Sequence, residues 1–546
     1  MFSRARRPGY VLAISLAFLG ASAGALVADT LSVPDEYPTI QLAIDAAVDG
    51  DTVAIAPGTY DENISTLGKE ITVLGTGGAE VTTIDGSLPL TTVGSTVLLS
   101  SGSTEATIID GLTIRGGIGT PSFYGQTGGG VFISGAGTIR NCIVEDNTAF
   151  VGAGIAALNS TGTVTVDNCI VRSNVAADPG GGLIAGGIGN LVVTHCEFRN
   201  NVSDGGGAIA CSTLTCLIEN CSFIENSVVL PTGVFGGALS IGPVHAETST
   251  ACTDAQVIDC EFIDNTSGFA GGAAIVYQCP TEFVRCTFVG NEGSAVGAIA
   301  CDSTQLTLSY CLFHGNVASE DGELFSSGVN GSDVTVDHCT FADNNCGGGV
   351  YHAGFAPFGF DPVLTVTNSI AWGNSNSTWD THPNVDATYA YSNLEGGQPG
   401  VGMLDVDPLF VAPSLGLYRL AEGSPCIDAG DPGFPFDSDG TVTDLGAIPY
   451  DPSAVGYIRG DANQDARVDL ADGIFVLSVS FAGEGAFLCE AAADSNGDET
   501  TDVADALFIF NYQLLGGPAP SAPFPDCGTS DASDTSCDAP IGCESS

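Results

Sequence analysis

The stretch NCIVEDN (141–147) returns as NCIVRSN (168–174) and again as HCEFRNN (195–201). Each copy has a cysteine, an apolar residue two positions later and a closing asparagine. Six further stretches follow the pattern, the last with Ser369 in place of the cysteine: NCSFIEN (220–226), DCEFIDN (259–265), RCTFVGN (285–291), YCLFHGN (310–316), HCTFADN (338–344) and NSIAWGN (368–374). A period in the twenties, with short apolar runs, indicates stacked coils.

A second apolar run, entered through glycines, lies between the copies. It reads GGGVFI, GAGIAAL, GGGLIA, GGAIAC, GGALSI, GGAAIV and VGAIAC in successive coils. Because side chains alternate along a strand, the cysteine and the apolar residue two positions later share one face, which we expect to point inward. We expect the closing asparagine to take a left-handed bend and to form hydrogen-bonded ladders between coils. The pattern predicts an all-β, right-handed parallel β-helix.

The cysteines of the repeat are open to two interpretations, a metal site or stacked buried thiols. One cysteine per coil, facing an apolar interior, does not converge as four metal ligands must, which favours buried thiols. The cysteines outside the repeat are better disulfide candidates, and their pairing is open: Cys211, Cys216, Cys252, Cys279, Cys301, Cys346, Cys489, Cys527, Cys537 and Cys543. The total of 19 is odd, so at least one thiol remains or pairs outside the chain.

Composition restricts the possible partners. The chain has 64 acidic and 12 basic residues, a net charge of −52, so its surface repels nucleic acid and anionic membranes and attracts divalent cations. Arginines at positions 4, 6 and 7 precede YVLAISLAFLG, a pattern typical of a secretory signal. We predict a signal peptide at 1–28, with a retained membrane anchor as the alternative, and a secreted or cell-surface protein. No later segment is apolar enough for a membrane span.

Three segments resemble known families. The opening YPTIQLAIDAAVDGDTVAIAPGTYDENISTLGKEITVLGTGGAEVTTIDG resembles the N-terminal cap and first coils of pectinesterase-like β-helix proteins. The FxxN and GGAI elements resemble repeats of the polymorphic outer-membrane proteins. VDPLFVAPSLGLYRLAEGSPCIDAGDP, followed by DLGAIPYDP, resembles the closing segment of many bacterial right-handed β-helix proteins. These resemblances imply a pectin lyase-like solenoid over 29–450, and they support a fold better than an activity.

Strand alternation places one strip of side chains outside the predicted solenoid. Its members are Arg172, His195, Glu197, Arg199, Asp259, Glu261, Arg285, Tyr310, His314 and His338. Their cationic and aromatic groups suit an acidic sugar chain, but Glu–Arg pairs between coils on a solvated face are the alternative. The strip is therefore a candidate substrate face, not an assigned one.

Catalysis stays open at this stage. Many β-helix families cleave polyuronates, for which a lyase needs a base and a hydrolase needs paired carboxylates. The chain lacks the paired glutamine and aspartate signatures of pectinesterases and the GHG and RIK elements of polygalacturonases. A lyase base would have to be one of a few residues: Lys69, Arg115, Arg140, Arg172, Arg199, Arg285 or Arg419. No catalytic residue is assigned.

Two loop features have competing explanations. An insertion at 242–255 carries His245 and Glu247 and is either a binding loop or a loop held by disulfides. An acidic cluster in the closing segment either binds calcium or caps backbone amides. Its members are Asp428, Asp431, Asp437, Asp439 and Asp444.

The stretch GDANQDARVDLADGIFVL (460–477) contains oxygen side chains at the spacing of an EF-hand calcium loop, and the spacing returns in DSNGDETTDVADALFIF (494–510). Such a loop binds calcium through positions 1, 3, 5, 7, 9 and 12, with position 7 contributing its carbonyl. The first predicted set is Asp461, Asn463, Asp465, Arg467, Asp469 and Asp472. The second is Asp494, Asn496, Asp498, Thr500, Asp502 and Asp505. Two matching sets predict two calcium ions.

The duplicated loops, each followed by an apolar helix, resemble the type I dockerin over 456–518. The resemblance implies a small all-α module and a cohesin-like partner or cell-surface component. Position 6 departs from the usual glycine in both loops, as Ala466 and Glu499. The recognition positions 10 and 11 are Leu470–Ala471 and Val503–Ala504, which makes a cohesin less secure than calcium. A calcium-stabilised module without a partner is the alternative, and residues 519–546 form an acidic, cysteine-containing tail.

Two functions are compatible with the sequence. The favoured one is a non-catalytic polysaccharide-binding or adhesin-type surface protein, because catalytic signatures and basic residues are scarce. The other is a polysaccharide lyase or glycoside hydrolase that the dockerin-like module delivers to an acidic polysaccharide.

Overall fold

The computed structural model describes most of the chain between residues 28 and 524. The described ranges are 28–87, 94–158, 162–187, 189–229, 235–243, 252–268, 271–318, 322–327, 332–353, 363–377, 379–380, 385–450, 457–463, 467–482, 487, 489–498 and 500–524. The predicted signal peptide and the C-terminal tail from 525 therefore lie outside them, as do His245 and Glu247 of the insertion.

The described residues form a right-handed parallel β-solenoid of about 11 turns, followed by a few short helices. The chain divides into two compact units, residues 1–256 with 260–280 and residues 257–259 with 281–546. In both units, each coil contributes one strand to each of three parallel sheets, and this confirms the predicted parallel solenoid. The first sheet precedes the repeat cysteine, the second contains the apolar residue after it, and the third follows the glycines.

In the first unit, the strands are as follows. The first sheet contains Thr30–Val33, Thr52–Ile55, Thr72–Gly75, Ile108–Asp110, Gly137–Arg140, Thr163–Asp167, Asn190–Thr194, Thr215–Glu219 and Asp254–Ile258, whose last two residues belong to the second unit. The second contains Gly58–Tyr60, Thr82–Asp85, Thr113–Arg115, Ile143–Glu145, Ile170–Arg172, Glu197–Arg199, Ser222–Ile224 and Glu261–Ile263. The third contains Ile64–Ser65, Val97–Leu99, Val131–Ile133, Ile155–Leu158, Leu183–Gly186, Ile209–Ser212, Leu239–Ile241 and Ala274–Tyr277.

Shorter elements complete the first unit. Two-residue strands after the closing asparagine form a fourth, narrow sheet: Thr148–Ala149, Val175–Ala176, Val202–Ser203, Ser227–Val228 and Thr266–Ser267. An antiparallel pair projects between coils, Thr120–Ser122 with Gly125–Thr127. The helix Ile40–Ala46 lies at the N-terminal end, where Thr39 caps it and its buried side chains Ile40 and Ile44 face the core.

The second unit continues the same three kinds of strand. Its first sheet contains Thr281–Val284, Gln305–Ser309, Asp333–Asp337, Val363–Thr367 and Asp386–Ala390. Its second contains Thr287–Val289, Leu312–His314, Thr340–Ala342, Ile370–Trp372 and Asn393–Leu394, and its third contains Val296–Asp302, Glu323–Ser327, Gly349–Ala353 and Trp379–Asp380. The narrow sheet contributes Glu292–Gly293 and Val317–Ala318.

The closing segment and the helical region follow these strands in the second unit. The antiparallel strands Phe410–Ala412 and Leu417–Leu420 flank the 3-10 turn Pro413–Leu415. Four helical elements come next: Leu470–Leu477, the π-helical turn Ser478–Ala482, Glu490–Ala493 and Val503–Leu515. Among the described residues, no helix is long and apolar enough to cross a membrane.

The left-handed bends do not fall on the closing asparagines, so that expectation was wrong. In each coil, one bend is the residue before the cysteine, such as Asn168 at φ +50°, and another is the residue before the closing asparagine, such as Ser173 at φ +55°. The closing asparagine instead turns its side chain into the coil, where it is almost fully buried. This placement follows from its hydrogen bonds, because an interior amide must satisfy both its N–H groups and its oxygen.

The asparagine ladders are confirmed in both units. In the first unit, Nδ2 of Asn147, Asn174, Asn201 and Asn226 each donates to Oδ1 of the next ladder residue at 3.0 Å. In the second, the ladder Asn291, Asn316, Asn344 and Asn374 has steps of 2.9 Å. Phenylalanines stack beside the ladders, with Phe223 and Phe262 at 4.8 Å and Phe288 and Phe313 at 4.4 Å between ring centroids. These regular contacts fix the register of the coils.

The repeat cysteines are buried thiols, as predicted. Cys169 and Cys339 are within 1% of full burial, and burial raises the pKa of both thiols. Of the disulfide candidates, Cys252 and Cys279 are bonded to each other and Cys489 is disulfide-bonded. The other described candidates remain free and buried, which corrects the expectation for Cys211, Cys216, Cys301 and Cys346. A buried free thiol behaves as a small apolar group, so these positions do not need a disulfide partner.

Candidate functional site

In the first unit, the predicted strip consists largely of ion pairs. Arg172 lies 2.7 Å from Oε2 of Glu145 in the preceding coil, and this hydrogen-bonded carboxylate raises the pKa of Arg172. Arg199 lies 3.1 Å from Oε1 of Glu197, two residues earlier on the same face of one strand. The guanidinium groups are thus engaged by carboxylates, which matches the solvated-face alternative.

The remaining strip residues of the first unit are also engaged. The imidazole of His195 lies 3.2 Å from Oδ1 of Asp167 in the preceding coil. The hydroxyl of Thr194 donates to the same oxygen at 2.7 Å and holds the pKa of Asp167 low. Glu261 accepts a 3.3 Å hydrogen bond from the hydroxyl of Ser222. His195 and Glu261 thus link neighbouring coils, whereas Arg199 and Glu197 pair within one strand.

In the second unit, Arg285 forms a two-point pair with Asp259. Nε and Nη2 of Arg285 lie 2.6 and 2.8 Å from the two carboxylate oxygens, and this contact raises the pKa of Arg285. Two-point guanidinium–carboxylate pairs fix both groups in geometry as well as in charge. A lyase base must be unprotonated before it can accept a proton from the substrate. The pairing with Asp259 instead favours the protonated, charged form of Arg285.

The closing segment covers the rest of the strip, which the sequence did not indicate. His338 is only 1% exposed, stacked between Tyr310 at 4.6 Å and Phe434 at 4.7 Å. Its Nε2 lies 2.9 Å from the hydroxyl of Thr443. The expectation that His338 faces solvent was therefore wrong. His314 is partly covered as well, with its ring 5.0 Å from that of Tyr418, and burial lowers the pKa of His314.

Two clefts lie, among the residues that the structure describes, where the closing segment meets the second sheet. One has a volume of about 490 Å³ and contains the strip residues Asp259, Arg285 and Tyr310 on one wall and residues 447–449 on the other. The other has a volume of about 370 Å³ and contains Trp372, which the sequence analysis did not single out. Both bring together residues far apart in the sequence, such as Tyr310 with Ala447 and Asp343 with Asp407, so no local pattern could have revealed them.

The acidic cluster of the closing segment caps backbone amides, as its second explanation held. Asp444 accepts from the backbone N–H of Asp428 at 2.8 Å and of Tyr450 at 2.6 Å, and Asp437 accepts from the N–H of Asp444 at 2.7 Å. Asp431 and Asp439 similarly cap residues two positions later. Burial and neighbouring carboxylates raise the pKa of Asp444 to about 6.

The two predicted calcium loops have the same internal hydrogen bonds. Position 12 accepts from the backbone N–H of position 3 at 3.1 Å in both loops, in the pairs Asn463 with Asp472 and Asn496 with Asp505. It also accepts from position 9, at 2.8 Å from Asp469 and 2.9 Å from Asp502. Asp469 and Asp502 in turn cap the helices Leu470–Leu477 and Val503–Leu515. The repeat in sequence is therefore also a repeat in geometry.

The donor set suits a hard cation. Asp461, Asp472 and Asp505 are at most 1% exposed, and Asp494 is 8% exposed. Burial raises the pKa of Asp505, and the nearby carboxylates Asp494 and Asp498 add to the effect. Buried carboxylates of this kind are costly unless a cation or hydrogen bonds offset them. Oxygen donors of this type and number are those that calcium prefers.

The loops differ in how much of each can be described. Asp465 lies outside the described residues, as do the position 6 residues Ala466 and Glu499. Among the described residues, no three His, Cys, Asp or Glu side chains converge on a single metal position. The carboxylate of Asp498 accepts from the N–H and hydroxyl of Thr500, which holds the pKa of Asp498 low.

Comparison with known proteins supports the fold. A family model described as a right handed beta helix region matches residues 129–304. The metabotropic glutamate receptor-like protein R of Dictyostelium discoideum is 30% identical over 141 residues, which are 26% of this chain and 8% of that protein. The chain thus spans a small part of this relative.

The solved structures that match have low sequence identity to this chain and TM-scores below 0.4. Pectate lyase Pel9A is 15% identical with a TM-score of 0.33, covering 78% of this chain and 96% of its own. The PL6 family alginate lyase AlyGC is 12% identical with a TM-score of 0.38, covering 79% and 61%. The catalytic unit of a GH87 alpha-1,3-glucanase from Streptomyces thermodiastaticus is 14% identical with a TM-score of 0.34, covering 69% and 70%. Likeness at this level does not extend to activity.

Proposed function

We propose that this chain is an exported, non-catalytic β-solenoid protein that binds polysaccharide and carries a dockerin-like module loaded with two calcium ions. The module attaches the solenoid to a cohesin-like domain or another cell-surface component. The observation that carries the proposal is the duplicated loop. Each copy has a set of oxygen donors and its own buried carboxylate at position 12, which accepts the same hydrogen bond from position 3.

Calcium would act in the module as a structural cation. The first ion would be held by Asp461, Asn463, Asp465, Asp469 and Asp472 with the Arg467 carbonyl, and the second by the equivalent set from Asp494 to Asp505. The two following helices pack against each other through Gly473 and Phe510, so a cation in each loop would stabilise the whole pair. A dication also offsets part of the local negative charge.

Export is supported by chemistry as well as by the predicted signal peptide. The Cys252–Cys279 bond and the bonded Cys489 fit an oxidising compartment, since structural disulfides are rare where thiols are kept reduced. The extreme acidity favours contact with calcium-rich extracellular fluid over contact with nucleic acid.

The non-catalytic part of the proposal follows from the ion pairs. Arg115, Arg140, Arg172 and Arg285 each lie within 2.9 Å of a carboxylate, and Arg199 lies 3.1 Å from one. Lys69 donates to three backbone carbonyls near the N-terminal helix. These contacts give six of the seven candidate bases structural partners.

The test is a calorimetric calcium titration of the full chain after treatment with a chelator. We expect two bound ions, and we expect the double variant Asp461→Ala with Asp494→Ala to lose tight binding. Asp439→Ala is the matched control, because this carboxylate lies in the closing segment outside both loops. Asp498→Ala is a milder second variant, since its side chain is exposed and its loss should weaken only one ion. Unchanged titration in both loop variants would disprove the calcium assignment.

A polysaccharide lyase or glycoside hydrolase is the second candidate function, and the cleft at Asp259, Arg285 and Tyr310 is the observation that favours it. The full chain should be incubated with acidic and neutral polysaccharides, with and without calcium. Unsaturated products would establish a lyase, and new reducing ends alone would establish a hydrolase. We expect neither, together with retention of the protein on at least one insoluble polysaccharide.

A further inference from the structure

The cleft that contains Trp372 has the composition of a ligand site. It lies in the second unit, where the end of the strand Ile370–Trp372 meets the closing segment. Its lining residues are Asp343, Trp372, Gly373, Asp407, Leu409, Phe410 and Pro413, and its volume of about 370 Å³ is within the usual range of small-molecule sites. Neither the calcium loops nor the predicted strip includes any of these residues.

The lining combines an aromatic wall with two carboxylates. Trp372 and Phe410 are partly buried, and Leu409 and Pro413 are exposed beside them. Asp343 and Asp407 are both exposed, and none of the seven lining residues is basic. An indole face is attracted to cations and to the apolar face of a flat ring, and carboxylates add charge-assisted hydrogen bonds.

Both carboxylates are held in place. Oδ2 of Asp343 accepts from the hydroxyl of Tyr418 at 2.9 Å, so this side chain has a fixed orientation. Its Oδ1 lies against Gly373, where a side chain would collide with it. Oδ1 of Asp407 accepts from the backbone N–H of Leu409 at 2.9 Å. Preorganised acceptors lose little freedom when a ligand binds, which makes them effective for recognition.

The sign of the charge selects the ligand. Two carboxylates without a basic neighbour in the lining repel a uronate and attract a protonated amine. The net charge of −52 raises the local concentration of cations around the whole chain. A neutral sugar would stack on the indole but would leave both carboxylates without a charged partner.

We propose that this cleft binds an amine-bearing sugar unit of a cationic polysaccharide. The indole of Trp372 stacks on the sugar ring, and Asp343 and Asp407 hold its ammonium group. The inference rests on the proposed polysaccharide-binding function and names its ligand class.

The experiment uses the full chain with calcium and follows tryptophan fluorescence and calorimetry. The chain has two tryptophans, and Trp379 is only 5% exposed, so a change on binding reports mainly on Trp372. The probes are glucosamine tetramers, their N-acetylated counterparts, galacturonate tetramers and lysine tetrapeptides. We expect glucosamine tetramers to bind at least about tenfold more tightly than each of the others, since only they combine the ring with the charge.

Variants then assign the cleft. Asp343→Asn combined with Asp407→Asn should weaken glucosamine binding at least about tenfold, because asparagine keeps one acceptor but loses the charge. Trp372→Phe should remove the fluorescence response. Asp405→Asn is the matched control, since this nearby carboxylate accepts from the N–H of Gly396 and does not line the cleft. We expect its binding to be unchanged.

The inference would be overturned by equal binding of the N-acetylated tetramer, by tighter binding of the lysine tetrapeptide, or by full affinity in the double variant with native circular dichroism. Absence of glucosamine binding while the chain still adheres to another polysaccharide would overturn the inference and leave the proposed function standing. Absence of binding to every polysaccharide, with normal calcium titration, would overturn polysaccharide binding as well.

Discussion

At the scale of single residues, the coil depends on positions where polar groups are buried and fully paired. Asn201 is completely buried, donates to the carbonyl of Val171 and to Oδ1 of Asn226, and accepts from the side chain and the backbone N–H of Asn174. Each ladder residue therefore makes hydrogen bonds to the coil before it and to the coil after it. Removing one ladder residue lowers the free energy of unfolding mainly because its former hydrogen-bond partners stay buried without a replacement.

Replacing Asn201 with alanine should destabilise the first unit by roughly 3 kcal/mol. The buried Val171 carbonyl and Asn174 N–H of the preceding coil, and the side-chain oxygen of Asn226 in the following coil, each lose a hydrogen-bond partner. Denaturant unfolding, followed by circular dichroism, measures this. Asn190→Ala is the control, since its side chain is only half-buried and pairs with the threonine hydroxyls of Thr163 and Thr215. Similar losses for both variants would show that the ladder contributes no special stability.

Asp444 should make folding pH-dependent. Its pKa is raised from 3.8 to about 6, so the native state holds the proton more tightly than the unfolded state. The stabilisation is complete below about pH 3.8 and is lost as the pH rises through about 6. Its upper limit is about 3 kcal/mol by linkage.

The measurement compares the unfolding free energies of wild type and Asp444→Asn across this range, with a chelator present so that calcium binding does not contribute. Wild type should lose stability relative to the variant as the pH rises, and the difference should be constant above about pH 7. A difference that does not vary with pH would contradict the assignment.

At the scale of elements, the helix pair is packed closely at one glycine. Gly473 lies in the helix Leu470–Leu477, and an added Cβ would lie 2.8 Å from Cζ of Phe510 on the helix Val503–Leu515. Alanine in place of glycine normally favours a helix by about 1 kcal/mol. Here the collision with an aromatic ring outweighs that gain.

We therefore expect Gly473→Ala to destabilise the helix pair by about 1–3 kcal/mol, as overpacking usually does. Thermal unfolding of the calcium-loaded chain, followed at the helical signal, measures the change. The control is Ile474→Ala on the same helix, whose side chain is 58% exposed and should matter little. A more stable Gly473→Ala variant would mean that helix propensity dominates at this contact.

Elements also show what the sequence could reveal. The coils were predictable because Cys169, Phe198 and Asn201 belong to patterns that recur in each coil. The loops were predictable because their six predicted ligand positions have the same spacing in both copies. The closing segment's cover over part of the strip was not predictable. It depends on Thr340 meeting Ala447 and on His338 meeting Thr443, pairs separated by 107 and 105 residues with no repeating signal. The bend positions were misassigned by one residue because asparagine suits both a left-handed turn and an interior ladder.

At the scale of the whole molecule, acidic residues greatly outnumber basic ones. With 64 acidic and 12 basic residues, most carboxylates have no basic residue with which to pair, and their mutual repulsion favours the unfolded chain. Exposed ion pairs such as Arg285 with Asp259 each contribute at most about 1 kcal/mol. Repulsion among the many should therefore outweigh attraction among the few.

We expect the thermal midpoint to rise when sodium chloride is increased from about 0.01 M to 0.15 M, since the Debye length falls from about 30 Å to 8 Å. The chain should first be treated with a chelator so that only screening changes. Choline chloride at equal ionic strength is the control and should act similarly. A midpoint that falls with salt would mean that the ion pairs between coils dominate the electrostatics.

The asparagine ladder also has a consequence for how such chains change over generations. Each rung presents the same donor and acceptor to the rung on either side, so a whole coil can be duplicated or deleted at the level of the gene without leaving a mismatched joint. Loss of a few residues within a coil moves its asparagine away from both neighbours, so the hydrogen bonds to both coils are broken. Selection should thus tolerate variation in the number of coils and in the loops that leave the ladder, as in the 39-residue step from Asn226 to Asn265. Length becomes an inherited variable that can change while the cross-section stays constant.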